Sequence, residues 1–110
     1  MSEAFLAIRA IAIEDLVDGL ADGTVTLVDV REPHEFAAGA IPGSLSMPLS
    51  MFDPSSLPLG GAARVVFSCA AGVRSLHAIA LCQAAGYNLN EHYPEGFKGW
   101  VMRGGPVERA

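Results

Sequence analysis

The amino-acid sequence predicts an α/β domain with a mainly parallel sheet, and three observations carry that prediction. Strand-like and helix-like segments alternate along the chain, with no repeat and no linker. Two strand-like runs, "TVTLVDV" (24–30) and "RVVFS" (64–68), are apolar over most of their length, as strands covered on both faces are. The helix-like runs space their apolar residues three and four apart, so each has one face to bury.

The elements follow in order. "FLAIRAI" (5–11) is strand-like. Ile13, Leu16, Val17 and Leu20 then share one helical face, with Glu14, Asp15 and Asp18 on the other; the early acids suit the positive end of that helix. "ADG" (21–23) is a turn, and the β-branched run 24–30 is the first buried strand. In "REPHEFAAGAIPGS" (31–44), Pro33 suits the first turn of a short helix, Gly39 can end it, and a turn follows around Pro42 and Gly43. "LSMPL" (45–49) reads as a short strand limited by Pro48, and "SMFDPSSLPLGGA" (50–62) as a loop with a helical turn. The second buried strand, 64–68, leads through a short loop to a helix over 74–85, where Leu76, Ile79, Ala80, Gln83 and Ala84 recur at helical spacing and Gly86 can cap the end. "YNLNEHY" (87–93) is a weaker strand, "PEGFKGWVM" (94–102) a loop and short helix, and "RGGPVE" (103–108) closes the domain.

A chain of 110 residues with 51% apolar content is expected to form one domain, 1–110, around one modest core. Its formal net charge of -5, with seven scattered basic residues, speaks against nucleic acid or an anionic membrane as partner. No segment is long and apolar enough for a membrane span. "AFLAIRAIAI" (4–13) resembles a signal peptide only superficially, since Glu3 precedes the apolar run and Arg9 interrupts it. The two cysteines, Cys69 and Cys82, are too few for a disulfide scaffold. With Cys82 about eight residues into the helix that begins near Arg74, the pair is separated by roughly 12 Å along its axis, beyond the ~7 Å between Cα atoms that a disulfide spans. The expected setting is a reducing one, the cytoplasm.

In parallel α/β sheets, ligands bind beyond the carboxyl ends of strands. Two such ends stand out: Asp29-Val30-Arg31 and Ser68-Cys69. Cys69 stands between a buried strand and a helix start. A tight loop there aims successive backbone N–H groups at one point and forms an anion nest backed by the helix N-terminus. A thiol in that position is drawn toward thiolate. Gly72 permits the positive φ the loop needs, Ala70 and Ala71 leave its mouth open, and Arg74 adds a cation. A cysteine at a strand end is more commonly a small buried hydrophobe; the glycine, the arginine and the strand–helix setting favour the nucleophile here. Cys82, mid-helix among Ala80, Leu81 and Ala84, reads as core. His34, His77 and His92 lack metal-ligand spacing. His77, the histidine nearest Cys69 in the chain, is a candidate base, although a solvated helix position suits it better. Phe97 and Trp100 read as packing residues. Asp29, at a buried strand end, needs a cationic partner, which Arg31 or Arg74 can supply.

Three segments together resemble the rhodanese domain family: "LVDVREPHEFAAGAIPGSLSMPL" (27–49) its entry motif, "FSCAAGVRS" (67–75) its Cys-x-x-Gly-x-Arg-Ser active-site loop, and "YPEGFKGWVMRGGPVE" (93–108) its closing segment. The resemblance spans about residues 11–107. It implies a rhodanese-like five-stranded, mainly parallel sheet flanked by helices on both faces, and a thiosulfate sulfurtransferase. In that reading Cys69 attacks the outer sulfur of thiosulfate or a related persulfide donor, carries a persulfide, and hands the sulfur to a thiophilic acceptor such as cyanide or a thiol. Residues Ala70, Ala71, Gly72, Val73, Arg74 and Ser75 supply the N–H and anion cradle. Asp29, Arg31 and Glu35 support the loop, with Arg74 either holding the donor or pairing with Asp29 or Glu35. Neither metal nor cofactor is expected. The expected partners are a small sulfur-containing anion or persulfide and a possible protein sulfur acceptor. Two alternatives use the same loop: a sulfur-carrier or interaction module serving a dedicated protein partner, and a cysteine phosphatase or arsenate reductase. The phosphatase loop places five residues between its Cys and Arg; here four intervene, a narrower ring suited to a single sulfur atom.

Overall fold

The computed structural model describes residues 7–61 and 63–109. Five parallel strands form one sheet in the order β1-β5-β4-β2-β3, with β1 Arg9–Ala10, β2 Val25–Asp29, β3 Leu45–Ser46, β4 Arg64–Ser68 and β5 Glu91–His92. Four helices connect or follow them: α1 Ile13–Asp22, α2 Pro33–Ala38, α3 Arg74–Ala84 and α4 Gly96–Met102.

The two continuous apolar strands take the centre of the sheet, where both faces must be covered. Their side chains alternate between two cores, as a pleated strand requires. On one face Val28, Val30, Val65 and Phe67 pack with Ala78, Ile79 and Cys82 of α3. On the other, Val25, Leu27 and Val66 pack with Leu16 of α1, Ile41, Tyr93 and Trp100 of α4. Phe67, fully buried, contributes on the order of 2–3 kcal/mol by leaving water.

Several boundaries differ from those the sequence predicts. The first strand is reduced to Arg9–Ala10, because its partner β5 pairs with it over two residues only; Phe5 and Leu6 lie outside the described residues. The expected turn at 21–23 is mostly helix: α1 runs through Asp22, and Gly23 ends it at φ +80°. The loop from 50 to 62 holds a 3-10 turn at Pro54–Ser56, capped by Asp53, and a preceding one spans Leu49–Met51. Gly39 ends α2 in extended backbone rather than a left-handed turn. A side chain there would press on Val107 and Phe97, so close packing explains the residue. No helix among the described residues is long and apolar enough to cross a membrane.

Candidate active site

The sheet register sets the frame. Asp29 and Ser68 are direct neighbours at the carboxyl ends of β2 and β4, and the Val30 N–H continues the ladder by donating to the Ser68 carbonyl at 2.9 Å. The chain segments after both strands therefore leave the sheet side by side at its carboxyl edge.

Cys69 is 1% exposed and is followed by a tight loop that enters α3 at Arg74. Two glycines allow that turn. Gly72 has φ +89°, and a Cβ on it would stand 2.5 Å from the Pro94 carbonyl oxygen. Gly96, at φ +62°, lies so close beneath the loop that a Cβ would collide with the carbonyl oxygens of Cys69 and Ala70. Those two carbonyls accept from the first turn of α4: Phe97 N–H to Cys69 at 2.8 Å and Lys98 N–H to Ala70 at 3.1 Å. Because N–H and C=O point opposite ways in a trans peptide, carbonyls committed to α4 leave the loop's N–H groups facing the sulfur. The Gly72 N–H donates to Sγ at 3.1 Å, and the Ser75 hydroxyl lies 3.7 Å away.

These donors decide the thiol's acidity. Burial alone pushes the Cys69 thiol up. The backbone N–H and hydroxyl of Ser75, with the N–H groups of Ala71 and Gly72, outweigh it and hold the thiol below its ordinary range. Cys82 has burial without donors and is pushed up to about 11. Both cysteines are free, but only Cys69 has the surroundings of a nucleophile.

Arg74 turns away from Asp29. Its guanidinium forms a two-pronged pair with Glu35, at 2.7 and 3.1 Å, which ties the loop to α2. The Glu35 carboxylate also accepts from the Glu32 N–H at 3.0 Å, half of a capping box that starts α2. The Arg74 hydrogen bonds hold the Glu35 carboxyl down at about 2. Asp29 takes Arg31 as its partner, buried and bidentate, with contacts of 2.7–3.1 Å. The same guanidinium donates to the Gly39 carbonyl at 2.8 Å and lies 4.3 Å above the Phe97 ring. Its connection to the Cys69 loop therefore runs through Phe97, whose N–H holds the Cys69 carbonyl. Ala70 and Ala71 line the loop without charge, and Val73 stands at its tip, 75% exposed.

The histidine beside the thiol is not His77, which faces solvent on α3. It is His92, on β5, whose Nδ1 lies 3.0 Å from the Ser75 hydroxyl. Period-2 alternation puts His92 opposite Tyr93, but only the register that sets it beside Phe67 brings it to the α3 face. That register joins segments 25 residues apart and has no local sequence signal. Among the described residues, no three His, Cys, Asp or Glu side chains gather as a metal site.

Known proteins resemble this chain in sequence and fold. The model of the rhodanese-like domain matches residues 12–103. The chain belongs to the rhodanese-like family. It is 32% identical over 108 residues to the thiosulfate:glutathione sulfurtransferase of Homo sapiens, covering 84% of this chain and 93% of that protein. It is likewise 32% identical over 113 residues to the Saccharomyces cerevisiae protein of the same name, covering 89% and 81%. A solved human single-domain sulfurtransferase superposes with a TM-score of 0.71 at 28% identity, over 89% of this chain and 97% of that one. The rhodanese-like relatives agree with the five-stranded parallel sheet described above, and they make this chain a sulfurtransferase of that family.

Proposed function

We propose that this sulfurtransferase works through a Cys69 persulfide. The Cys69 thiolate attacks the sulfane sulfur of a donor. A new S–S bond forms, the donor's own bond to that sulfur breaks, and its electron pair leaves with sulfite or a thiolate. An acceptor nucleophile then takes the outer sulfur, and the bond electrons return to Cys69. The observation that carries this reading is the donor-lined sulfur. The Gly72 N–H at 3.1 Å from Sγ and its neighbours in the ring can stabilise negative charge on a terminal sulfur. The four residues between Cys69 and Arg74 leave room for one sulfur atom rather than a tetrahedral oxyanion, which disfavours phosphatase chemistry.

The loop offers a dianion little positive charge. Ala70, Ala71 and Val73 are apolar, and Arg74 is occupied by Glu35. Thiosulfate is accordingly the weaker donor, and a low-molecular-weight persulfide the better one. The names of the two relatives make glutathione the leading acceptor thiol, and a reducing compartment such as the cytoplasm would supply it. Site support is assigned to Arg74–Glu35 and, through Phe97, to Asp29–Arg31. Intact mass measurement after incubation with thiosulfate or glutathione persulfide tests the reading. The expected result is one added sulfur, mapped to Cys69 and absent from Cys82, with none in Cys69→Ser. Full transfer by Cys69→Ser overturns it.

A further inference from the structure

We propose that His92 is a positioning residue for the nucleophile, acting through Ser75 to keep a hydrogen-bond donor on the Cys69 sulfur. This rests on Cys69 being the nucleophile. The three groups form a chain: Sγ to Ser75 Oγ at 3.7 Å, and Ser75 Oγ to His92 Nδ1 at 3.0 Å. All three residues are buried, so water does not offer Ser75 an easy substitute partner.

The direction of each bond follows from proton count. A hydroxyl has one proton to donate. A thiolate only accepts, so when Cys69 is ionised that proton belongs on the sulfur. Ser75 Oγ is then left as an acceptor toward His92, which matches an imidazole carrying its proton on Nδ1. With the proton on Nε2 instead, a bare Nδ1 would compete for the Ser75 hydroxyl proton and pull it off the sulfur. The neutral Nδ1–H tautomer thus favours thiolate, and the imidazole sets which way Ser75 faces.

The surroundings leave His92 to this role. β4 presents Phe67 beside it and β1 presents Ala10. α3 presents Ser75, while its cation Arg74 is turned to Glu35 and His77 points to solvent. The carboxylate next to it on β5, Glu91, pairs with Arg64. Burial holds the His92 imidazole below its usual range, so it stays neutral at physiological pH and must choose a tautomer.

The deciding experiment is the pH dependence of Cys69 alkylation by iodoacetamide, with the modified peptide identified by mass. His92→Leu removes the donor and should raise the apparent thiol pKa by about one unit, about a tenfold loss of thiolate at a pH well below it. His92→Asn offers an amide N–H where Nδ1–H stood and should stay within a few tenths of wild type. On a Ser75→Ala background, His92→Leu should add nothing. A thiol pKa unchanged in His92→Leu, or an equal further shift on the Ser75→Ala background, overturns the proposal. Should His92→Leu fail to fold, the ring nitrogen signals of wild-type His92 decide instead. At a pH where Cys69 is ionised, the Nδ1–H tautomer is expected, and the Nε2–H tautomer overturns the proposal. Sulfur loading by mass on the same samples keeps the two ideas apart, since a wild type that takes no sulfur defeats the persulfide reading and leaves the alkylation comparison to judge His92.

Discussion

Glu35→Gln removes one charge from the strut between α2 and the Cys69 loop while keeping an oxygen for the Glu32 N–H. The Arg74 hydrogen bonds hold the Glu35 carboxyl from 4.5 down to about 2. A shift of that size has a ceiling of about 3 kcal/mol. The Arg74 and Glu35 side chains are 32% and 26% exposed, however, so solvent screening leaves about 1–1.5 kcal/mol. The folded pKa is depressed, so this stabilisation is fully present above the unfolded value near 4.5 and is lost as pH falls through about 2. At pH 7 the variant should melt about 4–8 °C below wild type. Thermal unfolding followed by circular dichroism at pH 7, 5 and 3 should show that gap narrowing below pH 4.5, where the unfolded wild type takes up a proton on Glu35 while the folded state keeps its charge down to about pH 2. A gap that stays constant down to pH 3 would refute the charge argument and point to lost packing.

Other consequences are open to direct measurement. Gly96→Ala drives a methyl group into the Cys69 and Ala70 carbonyls; urea unfolding should show a loss of about 2–4 kcal/mol, and a loss under 0.5 kcal/mol would mean the loop has slack. Ala71→Lys places a cation at the uncharged mouth. At roughly 1 kcal/mol for unit charges near 4 Å in water, KM for thiosulfate should fall about fivefold with kcat little changed, and an unchanged KM would show that charge does not limit donor binding. Limited alkylation at pH 7 should label Cys69 and spare Cys82, whose thiol burial pushes up to about 11; peptide mapping that finds Cys82 labelled first would contradict the assigned environments.

What could be read from the sequence follows the range of the interactions involved. β2 and β4 are legible because central strands need apolar residues on both faces. α3 is legible as a helix, but its buried face is Ser75, Ala78, Ile79 and Cys82 rather than the expected stripe of Leu76, Ile79, Ala80, Gln83 and Ala84, of which only Ile79 is buried, because small residues let the helix lie close to the sheet. The Cys69 loop is legible because strand, glycine and helix start are contiguous. β1, β3 and β5 are two-residue strands, defined by which distant neighbour they meet, and local composition overstates their length. The choice of Glu35 for Arg74 and of Arg31 for Asp29 depends on where α2 lies, which composition leaves open. Glu32 as a helix cap escapes notice because glutamate is an unusual residue there. Gly96 and His92 matter through contacts with a loop some 20 residues earlier in the chain, and neither carries a local mark.

The strand order also bears on synthesis. Among the described residues β1 pairs with β5, and the Cys69 and Ala70 carbonyls accept backbone N–H groups from the start of α4. A ribosome delivering the chain from its amino end makes Cys69 before residues 91–98 exist to enclose it. During that interval Cys69 lacks Gly96 and α4 beneath its loop and His92 behind Ser75, so its thiol should be less acidic than in the finished fold. On the proposed mechanism, the segment that completes the sheet also arms Cys69, and the order in which the strands are made keeps sulfur chemistry from starting on a nascent chain.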